Sequence, residues 1–433
     1  MSSEVPVSGV GPEDSADSAR SAFLGVVLGT IVMGISGFVV LVVAAAGFGA
    51  EDYALFGVFW AALYFVVAVV TGAQHESTRA SLAPPGSSSS SLVVFACSLA
   101  LVLFVVVAGS SIWWSDAAFG PGHRQLGLLA GLGCAGYAIT CVFGGALAGA
   151  GRWTAFAALL IVEGLVRAGA VCLAMLTSPH VEMVAWVVVA TYPVTVVFVF
   201  IFVVRRGAPE ARVSSTFGQL WSNTSQTMAA SAGVGALITG FPFAISTLAR
   251  DESRATVGAI TLALMLTRAP LLVPLTGMQS FLVSTFVRSD ERRLWHVLTR
   301  LLMVIAVVAV VLAALAGLVG APVLTTVFGE DFSVRPAVLA TLVGSSGCVA
   351  AMAVAAPALI ARRSLAANAL AWIVASATAI AVLATAPWSL GWRTAASLSV
   401  GPAVGLVVQL VALGRATSRE RAQPLNNSMQ AGA

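Results

Sequence analysis

Long apolar stretches alternate with short polar ones along the whole chain. Twelve stretches reach the length of about 20 largely apolar residues that a membrane-crossing helix needs. They cover residues 21–47, 53–74, 91–113, 126–149, 154–176, 183–204, 227–249, 256–284, 295–319, 337–360, 366–386 and 394–414. This pattern predicts an all-α polytopic membrane protein with about 12 transmembrane helices. The longest internal polar segment, RRGAPEARVSSTFGQLWSNTSQ at 205–226, divides the runs into six and six. The expected organisation is a disordered cytoplasmic tail over 1–20, an N-terminal half over 21–204, a cytoplasmic linker over 205–226, a C-terminal half over 227–414 and a second cytoplasmic tail over 415–433. Phe217, Leu220 and Trp221 give the linker a stretch suited to the membrane surface.

Composition agrees with that reading. The chain is 59% hydrophobic and only 9% charged, against roughly 25% charged residues in a soluble domain. All 22 basic residues are Arg. A P-loop needs a Lys on the phosphates, and Schiff-base chemistry needs a Lys amine, so neither is expected. Cys97, Cys134, Cys141, Cys172 and Cys348 fall inside apolar runs without metal-ligand spacing. No cofactor, metal or nucleic-acid partner is expected, and the short loops leave no room for a soluble catalytic domain. The arginines set an orientation. Fifteen lie at the two tails and the even-numbered loops, and five (Arg124, Arg250, Arg254, Arg335, Arg393) at the opposite ends. The positive-inside rule makes the first side cytoplasmic, so the expected location is the cytoplasmic membrane with both termini in the cytoplasm.

Polar groups inside the runs mark candidate chemistry. The second run ends in TGAQHESTRA, and on a helix Trp60, Val67, Thr71, Gln74 and Thr78 share one stripe, with His75, Glu76 and Arg79 just beyond. The eighth run ends in TGMQ, and its Thr261, Met265, Arg268, Leu272, Thr276 and Gln279 share a face. Both runs follow an acidic pair, Glu51–Asp52 and Asp251–Glu252, a weak internal echo of the kind found in transporters. Arg268 lies near mid-span, where a charge costs about 2.5–3.5 kcal/mol on insertion scales. Pro270 and Pro274 follow it and free the carbonyls of Leu266 and Pro270, so a broken eighth helix is expected there. Glu163 and Arg167 stand four residues apart in the fifth run, in the stabilising order; they form a candidate ion-coupling site or a mutually neutralising pair.

Four segments, taken in order, carry a resemblance: FGAEDYALFGVFWAALYFVVAVVTGAQHESTRA, GALAGAGRWTAFAALLIVEGLVRAGAV, ALMLTRAPLLVPLTGMQSFLVSTFVR and VFGEDFSVRPAVLATLV. Together they resemble the polysaccharide-export flippases of the multidrug/oligosaccharidyl-lipid/polysaccharide exporter superfamily. The resemblance implies two six-helix bundles around a central cavity with alternating access. It implies a polyprenyl-linked saccharide as substrate, its pyrophosphate met by cavity arginines. Carried over by position, Arg268 is the candidate anion site, with Gln279, Thr276, Gln74, Thr71 and Arg79 lining the cavity. Partners implied are the lipid-linked saccharide, membrane lipids and the glycosyltransferases or polymerase of the same pathway. The first run lacks an Arg after Arg20, and with no Lys the cavity is thinly cationic.

Three other classes compete. A drug/cation antiporter of the same superfamily calls for a buried, uncompensated carboxylate, and Glu163 is the intramembrane acid. A membrane glycosyltransferase calls for catalytic carboxylates on a large outside loop, whereas the outside acids sit in short turns. A non-transporting scaffold with a degenerate cavity is the third.

Overall fold

Bilayer hydrocarbon offers no partner for peptide N–H and C=O groups, so an apolar chain closes its hydrogen bonds within helices. The computed structural model describes residues 12–82, 90–177, 179–204, 212–213, 215–249 and 251–430. In chain order the elements are α1 (Pro12–Ala80), β1 (Ser90–Ser91), α2 (Leu92–Phe119), α3 (Arg124–Gly149), α4 (Trp153–Thr177), α5 (Val181–Val204), β2 (Arg212–Val213), α6 (Phe217–Ile238), α7 (Phe241–Leu248), α8 (Arg254–Val287), α9 (Glu291–Leu315), α10 (Ala321–Phe328), α11 (Pro336–Ala361), α12 (Leu365–Thr385) and α13 (Leu390–Gln430). Among the described residues nine helices are long and apolar enough to cross a membrane, or ten if the bent pair α6–α7 is one span. The protein is therefore an all-α polytopic membrane protein. The first two apolar runs both lie in α1, which is interrupted at Gly49 (φ 70°, ψ 171°). A side chain there would be strained in the left-handed region, and glycine avoids that cost.

The structure departs from the sequence pattern at six places. Residues 1–11 of the expected disordered tail lie outside the described residues, but the backbone is already helical from Pro12. Of the expected linker, 205–211 and 214 lie outside the described residues, and α6 begins at Phe217. A capping box starts it: Gln219 N donates to Thr216 Oγ1 (3.3 Å) and Thr216 N to Gln219 Oε1 (3.1 Å). The polar run SNTSQ lowers local hydropathy and hides this helix from a hydropathy window. Leu220 is fully buried, and Phe95 meets Phe217 and Trp221 edge-on at 6.3 and 5.7 Å. These side chains anchor the start of α6 on α2. The run 227–249 is bent by 64° between α6 and α7. The eighth run is not broken: α8 continues through Pro270 and Pro274, because helix packing can re-satisfy the carbonyls a proline frees. The expected tail at 415–433 is helical to Gln430. Finally, β1 and β2 form a short antiparallel ladder that no pattern announced.

Helices α1 to α5 pack mainly among themselves, as do α8, α9, α11, α12 and α13, while α6 touches both α1 and α12. Small residues bring the axes close. A Cβ added at Gly258 of α8 would fall on the Ala50 carbonyl oxygen of α1, and one at Gly57 would lie 3.0 Å from Thr261 Cγ2. Nearby, Ser246 Oγ donates to Ala118 O at 2.6 Å, and the Tyr53 and Phe332 rings meet edge-on at 5.8 Å. Ion pairs Arg124–Asp116 (2.6 Å) and Arg393–Glu252 (3.6 Å) lie at the same end of the molecule. Gly258→Val places a branched side chain where no Cβ fits. It is expected to cost about 1–3 kcal/mol, read as a lower melting temperature of the purified protein in detergent. An unchanged melting temperature would refute the contact.

Candidate functional site

The bend between α6 and α7 is the centre of the site. Helix α6 stops at Ile238, and its last carbonyls have no helical N–H to accept from. Thr239 N and Gly240 N fold back to Gly235 O (2.9 and 2.8 Å), and Thr239 Oγ1 donates to Gly235 O (2.9 Å) and Tyr64 O (3.2 Å). Pro242 then opens α7, where a missing N–H costs nothing. Arg268 answers the exposed carbonyls: its Nη1 donates to Leu237 O at 2.8 Å and Ile238 O at 2.5 Å. A cation at a helix C-terminus is also favoured by the helix dipole. The residue is only 6% exposed, and its buried Nη2 has no acceptor among the described residues. One edge of the guanidinium is thus fixed to α6, while Nη2 is buried without a partner among the described residues.

The remaining stripe residues are dispersed. Thr71 and Thr78 donate back into their own helix, to Ala68 O (2.6 Å) and Gln74 O (2.8 Å). Gln74 lies toward α3, its Oε1 3.9 Å from Cys141 Sγ. Arg79 forms a two-pronged bridge to Glu76: Nε to Oε2 at 2.8 Å and Nη2 to Oε1 at 2.6 Å. Asn223 Nδ2 of α6 also donates to Glu76 Oε1 (2.9 Å). Glu76 is 3% exposed and so ties α1 to α6; the four-residue gap to the helix end gave no hint of that partner. The side chains of Thr276 and Gln279 lie outside the described residues. Sequence reasoning also missed the bend itself, whose only signal was Gly240 and Pro242 within an apolar run.

Glu163 and Arg167 form a second buried polar cluster. Their side chains are 2% and 1% exposed, and Arg167 Nη1 donates to Glu163 Oε1 at 3.4 Å. Arg167 Nη2 lies 3.4 Å from both Met33 O and Ser36 Oγ, and the guanidinium carbon sits 5.9 and 5.7 Å from the Trp60 and Tyr64 ring centres. Ser36 Oγ donates to Gly164 O at 2.6 Å. Both halves of α1 are thereby joined to α4. The aromatic faces were legible only as apolar periodicity, because Tyr64 and Trp60 lie in a different run from Arg167. Glu163→Gln removes one partner of a buried pair, a change that typically costs about 3–5 kcal/mol. The double variant Glu163→Gln/Arg167→Met is expected to melt at a higher temperature than Glu163→Gln alone. A double variant less stable than the single one would overturn the pairing.

No family model matches the chain. The uncharacterized protein Rv1510 of Mycobacterium tuberculosis is 30% identical over 384 residues, covering 87% of this chain and 88% of that protein. The uncharacterized protein Rv3630 of the same organism is 29% identical over 390 residues, covering 89% and 90%. The inward-facing conformation of a multidrug resistance MATE family transporter of the MOP superfamily superposes with a TM-score of 0.71 at 12% identity, covering 90% of this chain and 99% of that one. An outward-facing conformation of such a transporter gives 0.63 at 15% identity, with coverage of 93% and 96%. A MOP superfamily transporter from Pyrococcus furiosus gives 0.65 at 14% identity, covering 92% and 95%. At these identities the structures establish the fold, which is that of the MATE transporters. The chain belongs to one family with the mycobacterial protein Rv1510, and it carries the fold of the MATE transporters.

Proposed function

We propose that the protein is a flippase of the polysaccharide-export branch. It moves a lipid-linked oligosaccharide of the polyprenyl-phosphate type across the cytoplasmic membrane, with both termini in the cytoplasm, for assembly of a cell-envelope glycan. One observation carries this reading. Among the described residues the buried charges are Glu76, Glu163, Arg167 and Arg268. The two carboxylates are each paired with an arginine, whereas Arg268 is held by carbonyls alone. The surplus intramembrane charge is therefore positive, which suits a phosphate or pyrophosphate and opposes a cationic drug. A guanidinium adds a second parallel hydrogen bond to such an anion, which an ammonium cannot match. The Pyrococcus furiosus transporter is described as having a binding pocket of reverse polarity that suggests a different function. The arginine bias supports the orientation. With short loops and no Lys, the driving force is an ion gradient, the membrane potential or substrate mass action rather than ATP.

A second reading, a drug exporter, is favoured by the fold itself, since the similar inward- and outward-facing structures are multidrug resistance transporters. Depleting the protein separates the two. A flippase leaves lipid-linked saccharide on the inner leaflet and lowers a surface glycan. An unchanged glycan with new drug sensitivity would establish the exporter and refute the flippase.

Arg268 provides the residue-level test. Arg268→Ala leaves two buried carbonyls without their donor, at about 1–3 kcal/mol each, so its melting temperature falls. Arg268→Lys keeps a donor to those carbonyls and is expected to stay folded. It should transport about tenfold more slowly, the loss of one charge-assisted hydrogen bond to the anion. A folded Arg268→Lys protein with wild-type transport would rule out anion binding by this residue.

A further inference from the structure

A groove of about 600 Å³ runs between α12 and α13 at the end where α11 turns into α12. It lies apart from the α6–α7 bend and belongs to neither cluster described above. Its apolar wall includes Leu370, Val407 and Val411, which are 55%, 60% and 48% exposed. Both helices are candidate membrane spans, so this wall faces acyl chains. Its polar end holds Arg362, Ser364 and Arg415, and none of its lining residues is acidic. The Arg362 side chain is braced there, its Nη2 donating to Ser289 O at 2.8 Å.

Arg363, between the two lining residues Arg362 and Ser364, has φ 55°. It is the one non-glycine residue with a positive φ among the described residues. Its N–H donates to Ile360 O (3.0 Å) and that of Ser364 to Leu359 O (2.9 Å), which closes the end of α11. Glycine is the usual occupant of such a cap, because a Cβ is strained there. The chain keeps an exposed arginine at this position, beside two more at the rim of a lipid-facing groove.

We infer that this groove is a binding site for a phospholipid with an anionic headgroup. The headgroup phosphate is held by Arg363 and Arg415, and one acyl chain lies along Leu370, Val407 and Val411. The charges match: Arg362 and Arg415 line that end, Arg363 stands between the lining residues Arg362 and Ser364, and none of the lining residues is acidic. Basic clusters where a membrane helix ends recognise anionic lipid by this attraction. The site is independent of the transported substrate and stands whether or not the flippase reading does.

The test uses the full-length purified protein, delipidated in neutral detergent, with phosphatidylglycerol and phosphatidylcholine as probes. Native mass spectrometry counts bound lipid, and thermal unfolding reads stabilisation. Wild type is expected to bind phosphatidylglycerol in preference to phosphatidylcholine. Arg363→Gly and Arg415→Gln should each weaken that preference about fivefold. Without lipid, Arg363→Gly should melt at or above the wild-type temperature, because glycine removes the backbone strain. That keeps a folding defect from imitating lost binding. Equal binding of the two lipids by wild type, or an undiminished preference in both variants, would overturn the site. So would a lipid-free Arg363→Gly that melts well below wild type, since Arg363 would then be a fold contact. Inorganic phosphate that stabilises wild type as strongly as phosphatidylglycerol would overturn it as well, because a lipid would not be required.

Discussion

Lipid hydrocarbon offers nothing to hydrogen-bond, so a polar group this chain carries there depends on the chain itself for its partners. The consequences are visible at each level. Hydroxyls of Thr71, Thr78 and Thr239 return to backbone carbonyls. Charges are rarer and need larger arrangements. Arg167 is met by Glu163, by the backbone and hydroxyl of α1, and by two aromatic faces. Glu76 collects Arg79 and Asn223 from two helices. Arg268 is met in a different way, by interrupting another helix so that its terminal carbonyls face the guanidinium.

That last arrangement explains why the bend and the arginine belong together. A continuous helix at 227–249 would have spent the Leu237 and Ile238 carbonyls on its own N–H groups. Pro242 and Gly240 prevent this, and the freed acceptors then make a buried guanidinium tolerable. Each feature would be a defect without the other. The result is a positive centre whose buried Nη2 has no partner among the described residues, whereas the buried acids among them, Glu76 and Glu163, each have an arginine.

Much of the fold was legible because membrane helices write themselves as long apolar runs, and most of the runs coincide to within a few residues with a helix or part of one. What was lost lies where local pattern and tertiary structure part company. The helix start at Phe217 was hidden by the polar SNTSQ, whose side chains become useful only against α1: Asn223 to Glu76 and Thr227 to Gly72 O. The expected break at Pro270 did not occur, since a proline fixes one dihedral but packing decides whether the helix continues. The candidate site was read as a stripe on one helix. Arg268 stood out by its charge, whereas the carbonyls that hold it are backbone atoms 30 residues away and carry no side-chain signature. The bridge from Arg79 to Glu76 was hidden for a related reason: spacing on a helix shows which groups are neighbours, not which of them turn toward each other.

Helix α6 is fastened on two sides. Toward α1 it is held by Asn223, Thr227 and Thr239, with the Met228 backbone against Gly72. Toward α12 it is held by Ser376 Oγ, which donates to Gly233 O at 2.6 Å. In mechanical terms α6 is a strut shared by two rigid frames, more heavily riveted to the first. Any rocking of one frame against the other would load the α12 seam, the elbow before α7 and the close α1–α8 contact at Gly57 and Gly258. The same arginine that sits at that elbow would register the motion, because its two carbonyl anchors and its own helix belong to opposite sides of the hinge.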